Sequence, residues 1–122
     1  MKKRQNDPER EKRIHEEIIV DTNGPEEEAI GWYYYLESKL RFPFHARCIV
    51  SKAVSPLNKG EILEVLWMAP EEACSDDMLA LLRWQGRTMA VPLSQLMATD
   101  ADEGTVEAVA DWHYWQDRGH SF

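Results

Sequence analysis

The sequence predicts an α+β fold, in which a small SH3-like β-barrel is flanked by an N-terminal and a C-terminal helix. Three observations support this prediction. The chain has 122 residues, the size of one compact domain, and its 43% hydrophobic content with five tryptophans is enough for a core. Apolar residues recur at helical spacing near both ends of the chain. Between those segments the spacing changes to two, with short connections, as in a small barrel.

The first thirteen residues are predicted to be a disordered charged arm, followed by one domain over residues 14–122. The arm carries six basic and three acidic side chains, interleaved and without an apolar run, which is typical of a solvated segment. Because no apolar segment follows its basic residues, the arm does not resemble a secretory signal, and the sequence predicts a cytoplasmic protein. The first ordered element is expected at Ile18-Ile19-Val20, before the turn-forming residues 21–24.

The first helix is predicted to begin at Pro25. Proline suits the first helical position, and the acids at residues 26–28 suit the positive end of the helix dipole. The helix is expected to end before Phe42-Pro43, because a residue that precedes proline disfavours the α conformation. Its buried stripe is predicted to consist of Ala29, Trp32, Tyr33, Leu36 and Leu40.

Four short strands and a second helix are predicted to follow. The strands are expected at residues 44–50, 61–68, 78–84 and 87–91. Ser94-Gln95-Leu96 is predicted to form a single helical turn after the last strand. Residues 103–116 are predicted to form the C-terminal helix, and its aromatic run at residues 112–115 is expected to pack this helix on the barrel.

Composition and motifs argue against several classes of function. The chain has 22 acidic and 14 basic residues, a net charge of −8, so it is expected not to bind nucleic acid. No apolar run approaches the roughly 20 residues of a membrane span. Cys48 and Cys74 are far apart and the four histidines are scattered, so a zinc site is not indicated. No catalytic motif is present, and the chain is predicted not to be an enzyme.

The segment TDADEG, just before the C-terminal helix, is similar to the start of a calcium loop. In an EF-hand beginning at Asp100, however, the sixth position would be Thr105 instead of glycine and the twelfth would be Asp111 instead of glutamate. The segment is therefore not an EF-hand. Asp100 or Asp102 as the N-cap, with Glu103 in the first turn, explains the acids without a metal. Both roles stay open, because a capping acid can also lend an oxygen to an ion.

Three further acidic groups favour calcium binding when they are taken together. They are Asp21 with residues 26–28; Glu37; and Glu71, Glu72, Asp76 and Asp77. Each group alone could be a solvated surface. Calcium needs about six to eight oxygen ligands, which separate loops at one end of a small barrel can supply jointly. Because the bound ion would relieve repulsion between these loops, binding and stability would be linked.

Seven segments, taken together and in this order, resemble the cyanobacterial calcium-binding protein family. They are GPEEEAIGWYYYLESKLRFPF, ARCIV, MAPEEAC, RWQGR, AVPLSQL, DADE and DWHYW, and the resemblance spans residues 14–115. It implies a compact domain with a β-barrel core that binds Ca²⁺ on an acidic surface without EF-hands. It also implies a role in sequestering calcium and tuning a free-calcium signal, since the best-known member is implicated in heterocyst differentiation.

The resemblance also guides the choice of expected ligands. Members often carry an acid two residues before the last leucine of the L-x-x-K-L segment, where this chain has Ser38, so Glu37 is the nearest substitute. The ligands expected first are Glu71, Glu72, Asp76 and Asp77. Those expected second are Asp100, Asp102 and Glu103.

Two other functions remain as alternatives to a calcium buffer or sensor. One is a protein-interaction module, in which an SH3-like barrel presents aromatic side chains and the acids only keep it soluble. The other is an acidic surface that mimics DNA and occupies a nucleic-acid-binding protein. A rise in melting temperature that is specific to calcium would favour the ion-binding hypothesis over both.

Overall fold

A computed structural model describes residues 7–118 of the chain, and its class is α+β. The helices are α1 (Pro8–Arg13), which continues into a π-helical turn (Ile14–Ile18), α2 (Pro25–Lys39) and α3 (Glu103–Asp117). The strands are β1 (Phe44–Cys48), β2 (Ile62–Met68), β3 (Leu79–Trp84), β4 (Arg87–Pro92) and β5 (Leu96–Asp100). Short 3₁₀ turns lie at Glu71–Cys74 and Leu93–Gln95.

The strands form one antiparallel sheet in the order β4-β3-β2-β1-β5. Strands β1 to β4 follow one another as a meander, and the turn Leu93–Gln95 carries the chain back so that β5 pairs with β1. In the described part of the chain, β4 and β5 are the two edges, so this sheet is open. The closed SH3-like barrel predicted from the sequence is not confirmed.

Strand β5 is the element of the sheet that sequence analysis missed. The predicted strands correspond to β1 through β4, and the predicted helical turn lies one residue from the observed one. The sequence predicts no element for residues 97–100, between that turn and the C-terminal helix. Only Leu96 is buried along β5, so its sequence lacks the alternation that marks a half-buried strand.

The N-terminal prediction differs from the structure over the residues that can be compared. Residues 7–13, expected to be part of a disordered arm, include helix α1, and Asp7 caps it by accepting a hydrogen bond from the Arg10 N–H at 3.1 Å. The expected disorder of residues 1–6 falls outside the described residues. The first apolar element also differs from the predicted segment Ile18-Ile19-Val20. It is a π-helical turn that buries Ile14 and Ile18, while Val20 is half exposed.

Helix α2 packs closely against that π-helical turn. Its bounds, Pro25–Lys39, agree with the prediction, and it ends before Phe42-Pro43 as expected. A Cβ atom placed on Gly31 would lie 2.3 Å from the carbonyl oxygen of Ile18, so only glycine allows this approach.

Among residues 7–118 no helix has the length and hydropathy needed to cross a membrane.

The three helices meet at one buried carboxylate. Asp111 of α3 is fully buried and accepts hydrogen bonds from Arg10 Nε at 2.7 Å, Arg13 Nη2 at 2.6 Å and the Tyr35 hydroxyl at 2.6 Å. The bond to Asp111 raises the pKa of Arg13 above its usual range. Beside this group the rings of Trp32 and Trp112 pack edge to face, 5.0 Å apart. This buried charge is tolerated because both carboxylate oxygens of Asp111 accept hydrogen bonds.

Candidate metal centre

The connection between β2 and β3 presents acids at the surface because one buried thiol anchors it. Its 3₁₀ turn exposes Glu71 and Glu72 and buries Cys74, whose sulfur accepts a hydrogen bond from the Leu79 N–H at 3.4 Å. Burial raises the pKa of the Cys74 thiol, and the charges of Asp77 and Glu72 raise it further. We call Glu71, Glu72, Asp76 and Asp77 the loop acids. The Cys74 contact anchors the backbone of this connection, while the side chains of Glu71, Glu72 and Asp76 are exposed to solvent.

The N-terminal part of α2 faces this connection across two neighbouring cavities. The first, of about 370 Å³, is lined by Asn23, Pro25, Glu26, Ser75 and Asp76. The second, of about 270 Å³, is lined by Glu26, Ala29, Ile30, Tyr33, Glu71, Glu72, Cys74 and Ser75. Glu26 borders both cavities. Three of the four loop acids therefore share cavity walls with an acid from α2.

Two consecutive tyrosines of α2 join the helix to the same connection. The Tyr33 hydroxyl donates to the carbonyl oxygen of Ala69 at 2.8 Å, and the Tyr34 hydroxyl donates to Glu71 Oε1 at 2.6 Å. Burial raises the pKa of Tyr33 to about 12, together with a smaller contribution from negative charges nearby, of which Glu37 is the strongest. Glu37 therefore lies within electrostatic reach of this surface. We call Glu26 and Glu37 the α2 acids.

Asp77 differs from the other loop acids because it is partly buried. Its Oδ1 atom is buried and has no hydrogen-bond partner among the described residues. Burial raises the pKa of Asp77, against the opposing effects of the Met78 backbone N–H and the positive charge of Lys52. Burying a carboxylate oxygen without a partner is energetically costly. A cation or a hydrogen-bond donor placed near this oxygen would therefore stabilise the folded protein.

The acids that were expected second lie in a different group, and two of the three, Asp100 and Asp102, already have partners. Asp102 is the N-cap of α3, where its Oδ1 accepts from the Thr105 N–H at 3.1 Å and its Oδ2 lies 3.3 Å from Arg41 Nε. Hydrogen bonds from Thr105 lower the pKa of Asp102. Asp100, at the end of β5, lies 3.7 Å from His45 Nδ1, and Glu103 is exposed in the first turn of α3. For TDADEG, the capping role is the one observed, with Asp102 as the cap.

The oxygen donors around the cavities suit a hard cation, although they do not yet form a closed coordination shell. Within residues 7–118 no three acidic, histidine or cysteine side chains are close enough together to hold a metal ion. The available donors are carboxylate and phenol oxygens, which suit Ca²⁺ far better than zinc or copper. The exposed side chains of Glu71, Glu72 and Asp76 can turn towards an ion, and the unpaired oxygen of Asp77 lies on the same connection. The residues present therefore fit calcium.

From the sequence, Glu26 belongs to an acidic group with Asp21, Glu27 and Glu28 but is not among the expected ligands, and no role is predicted for Tyr34. The acids at residues 26–28 were explained by the helix dipole, which gave no reason to separate Glu26 from its neighbours. Tyr34 lies outside the predicted buried stripe of α2, which indicates an exposed position, and the structure places it at the surface. An exposed tyrosine among helix acids could have pointed to a hydrogen-bonded carboxylate.

Fold and candidate site together define a class: a small acidic α+β protein with a non-EF-hand arrangement of oxygen donors. The chain belongs to the Calci_bind_CcbP family, which is described as calcium binding and which matches residues 12–116. The resemblance seen in the sequence is thereby confirmed.

Two solved structures are similar to the chain over nearly its whole length. The crystal structure of Anabaena CcbP has 41% sequence identity and a TM-score of 0.85, and the match covers 97% of each chain. A second structure, of a calcium-binding protein in the calcium-binding form, has 40% identity and a TM-score of 0.86, with 100% of each chain covered. No curated protein gives a significant match.

Proposed function

We propose that this protein binds Ca²⁺ between the loop acids and the α2 acids. The observation that carries this proposal is the pair of cavities between α2 and the β2–β3 connection. Their walls bring Glu26 together with Glu71, Glu72 and Asp76. Family membership supports calcium as the ion, and the similar structure in a calcium-binding form supports it further.

Electrostatics gives the reason why an ion would bind. The fold places the negatively charged side chains of Glu26, Glu71, Glu72 and Asp76 around two neighbouring cavities, where they repel one another. A bound dication neutralises two negative charges and so reduces this repulsion, and its binding therefore also stabilises the folded state. Asp77 adds to the effect, because an ion near its buried oxygen would favour the charged carboxylate that burial disfavours.

The geometry supports calcium over magnesium. Exposed glutamates on a 3₁₀ turn and on a helix can supply irregular coordination by six to eight oxygens. Magnesium demands a near-ideal octahedron and gives up its water reluctantly. Before an ion binds, the Tyr34 hydroxyl holds the Glu71 carboxylate in place by a hydrogen bond. When Glu71 coordinates calcium, this hydroxyl would lose its acceptor or share it with the ion.

We propose that Asp100, Asp102 and Glu103 are not principal ligands. Asp102 is engaged by Thr105 and Arg41, and Asp100 lies beside His45. To bind an ion, Asp102 would have to give up the helix cap and its ion pair with Arg41, and Asp100 and Glu103 line neither of the two cavities. The role we infer for the protein is a non-catalytic calcium buffer or sensor, cytoplasmic, which tunes free calcium and through it cell differentiation.

Isothermal calorimetry with Ca²⁺ and Mg²⁺ at physiological salt tests the proposal. We expect a calcium signal that competing magnesium does not remove. Replacing two loop acids, in Glu71→Gln with Glu72→Gln, should weaken calcium binding by about tenfold or more, because affinity follows ligand charge. The matched control, Asp100→Asn with Glu103→Gln, removes the same charge elsewhere and should change affinity less than about twofold, because salt screens distant charges.

Two results would contradict the proposal. The absence of a calcium signal in the unaltered protein would refute calcium binding itself. Equal losses in the two double variants would mean that overall charge, and not the cavities between α2 and the connection, determines the affinity.

A second function, as a protein-interaction module, is favoured by the outer face of the sheet. Trp67 and Ile62 of β2 are 59% and 58% exposed, so this strand presents two large apolar side chains to solvent. A stoichiometric complex that survives calcium chelation and is lost in Trp67→Ala would support this function. Loss of the complex on chelation would instead assign the interaction to the calcium-bound form.

A further inference from the structure

Lys52, in the connection between β1 and β2, is held beside the loop acids by a side-chain hydrogen bond. Its Nζ atom donates to Ser94 Oγ at 3.0 Å. Ser94 lies in the 3₁₀ turn after β4, where the backbone N–H of the preceding residue, Leu93, donates to the carbonyl oxygen of Met78 at 2.8 Å. Since Met78 directly follows Asp77, these two bonds bring the Lys52 ammonium towards the end of the β2–β3 connection.

The charge of Lys52 acts on Asp77 without a direct ion pair. Burial raises the pKa of Asp77, and the positive charge of Lys52 works in the opposite direction. In the described part of the chain Lys52 forms no ion pair with any acid, and the buried Oδ1 of Asp77 has no hydrogen-bond partner there. Lys52 therefore offsets part of the charge of this carboxylate but does not satisfy its oxygen.

The same charge lies on the flank of the candidate calcium site. Asp76, the residue before Asp77, forms part of the wall of the first cavity. No lysine, arginine or histidine is among the residues that line either cavity. Lys52 is thus a cation that acts on the loop acids from outside the cavities in which calcium is proposed to bind.

We propose that Lys52 is a tethered counter-cation, which competes with calcium for the loop acids and so sets the affinity of the site. This inference rests on the proposed calcium site. Before an ion binds, the ammonium offsets part of the negative charge of the loop acids and favours the folded protein. A dication that binds to the same acids is repelled by the ammonium, and this repulsion weakens calcium binding.

The bond to Ser94 explains why Lys52 adjusts the affinity and does not block the site. A lysine ammonium is carried on a flexible stem and could otherwise move onto a nearby carboxylate. Ser94 holds it within electrostatic reach of Asp77 but out of direct contact. The carboxylate oxygens of the loop acids therefore stay available to calcium, and the flexible stem allows the ammonium to move away when the ion binds.

Isothermal calorimetry of three variants of the full-length chain tests this competition. Lys52→Gln should raise the calcium association constant by about threefold in about 0.1 M salt, where charges act over about 10 Å, and by clearly less in about 1 M salt. Lys52→Arg keeps the charge and should leave the constant within about 1.5-fold of that of the unaltered protein. The matched control, Lys59→Gln, removes the same charge from an exposed position in the same connection and should raise the constant by less than about 1.5-fold.

A thermodynamic cycle without calcium gives a second readout, which does not depend on the proposed function. At pH 7 Lys52→Gln should lower the melting temperature of the calcium-free protein, because the charged Asp77 loses the cation that acts on it. The decrease should be much smaller in the Asp77→Asn background, since that background lacks the charge with which Lys52 interacts. A purely structural contribution of Lys52 would give the same decrease in both backgrounds.

The outcomes separate this inference from the proposed function. If the unaltered protein binds calcium but Lys52→Gln and Lys59→Gln change the affinity equally, or Lys52→Gln weakens it, the counter-cation is overturned and calcium binding stands. Equal decreases in melting temperature in the two backgrounds would overturn it as well. The absence of a calcium signal in the unaltered protein would refute the proposed function and the competition with it, while the cycle would still show whether Lys52 acts on Asp77.

Discussion

Three consecutive tyrosines illustrate what a sequence can and cannot reveal at the scale of the residue. Tyr33 was predicted to be buried from its helical spacing, and it is. The hydroxyl partners of Tyr33, Tyr34 and Tyr35 could not be predicted, because they lie 36, 37 and 76 residues away. Periodicity identifies the face of a helix that is buried, whereas these hydrogen bonds depend on which loop and helix fold against that face.

Asp77 should behave as a carboxyl group that folding makes less acidic. Because burial raises its folded-state pKa, the stability it contributes is complete below its unfolded pKa of about 3.9 and is lost as the pH rises through the folded-state pKa. At pH 7 we therefore expect Asp77→Asn to raise the melting temperature without calcium and to reduce the further rise that calcium causes. Thermal unfolding at pH 4 and pH 7, with and without Ca²⁺, measures both effects.

A neighbouring surface acid is the control for that experiment. Asp76→Asn should leave the calcium-free melting temperature nearly unchanged, because Asp76 is exposed. A fall in stability of Asp77→Asn at pH 7 would mean that the charged carboxylate is favoured in the calcium-free fold, contrary to the cost of burial.

Asp111 should be far more important for stability than its exposed neighbour. Asp111→Asn leaves Arg10 and Arg13 without their carboxylate, and breaking a buried ion pair in this way should lower the free energy of unfolding by about 3 kcal/mol. Glu107→Gln affects only an exposed contact of 3.8 Å to Arg13 and should cost less than about 0.5 kcal/mol. Urea denaturation of both variants gives the comparison, and similar losses would contradict the role of Asp111.

At the scale of the element, the sequence was informative wherever one face of the element is buried along its length. Helix α2 and strands β1 to β4 lie where they were predicted, and α3 ends within one residue of its predicted end. Helix α1 has no buried face, and its docking depends on arginine–aspartate pairs that span about a hundred residues of sequence. Strand β5 is a short edge strand with a single buried residue. Local patterns contain no record of such contacts.

The contact between α2 and the π-helical turn should depend on a single glycine. Gly31→Ala would place a methyl group 2.3 Å from the Ile18 carbonyl oxygen, and we expect the forced displacement to cost about 2 kcal/mol of unfolding free energy. Gly104→Ala, in the first turn of α3, meets only Asp102 Oδ2 at 3.8 Å and should instead be neutral or stabilising by up to about 1 kcal/mol. Chemical denaturation of the two variants checks the difference in sign; a neutral Gly31→Ala would show that the two elements can separate without cost.

At the scale of the whole molecule, the candidate site was predicted as a group of charges but not as a geometry. Glu71, Glu72 and Glu37 were expected ligands and lie near α2, whereas Asp100 and Asp102 were expected as well and lie beside His45 and Arg41. Net charge indicated an acidic surface, and family resemblance indicated its ion. Which acids share a cavity depends on the packing of α2 against the β2–β3 connection, which no local pattern encodes.

Calcium should stabilise the whole fold by mass action. At a free concentration one hundred times the dissociation constant, one bound ion adds about 2.7 kcal/mol to the free energy of unfolding. We expect a calcium-dependent rise in the melting temperature that Mg²⁺ and added NaCl do not reproduce, and that is smaller in Glu71→Gln with Glu72→Gln. A rise of equal size with NaCl would attribute the stabilisation to screening of the net charge.

The tryptophan cluster beneath the helices has a practical consequence. Trp32, Trp112 and Trp115 are buried together, and the Trp115 ring lies 6.1 Å from that of His15, in the turn that continues α1. Displacement of the N-terminal helix would change the surroundings of Trp115 while leaving Trp67 on the opposite, exposed sheet surface largely untouched. Because the chain has five tryptophans, the difference in indole emission between the unaltered protein and Trp115→Phe would isolate this signal and report on the surroundings of that helix without an attached dye.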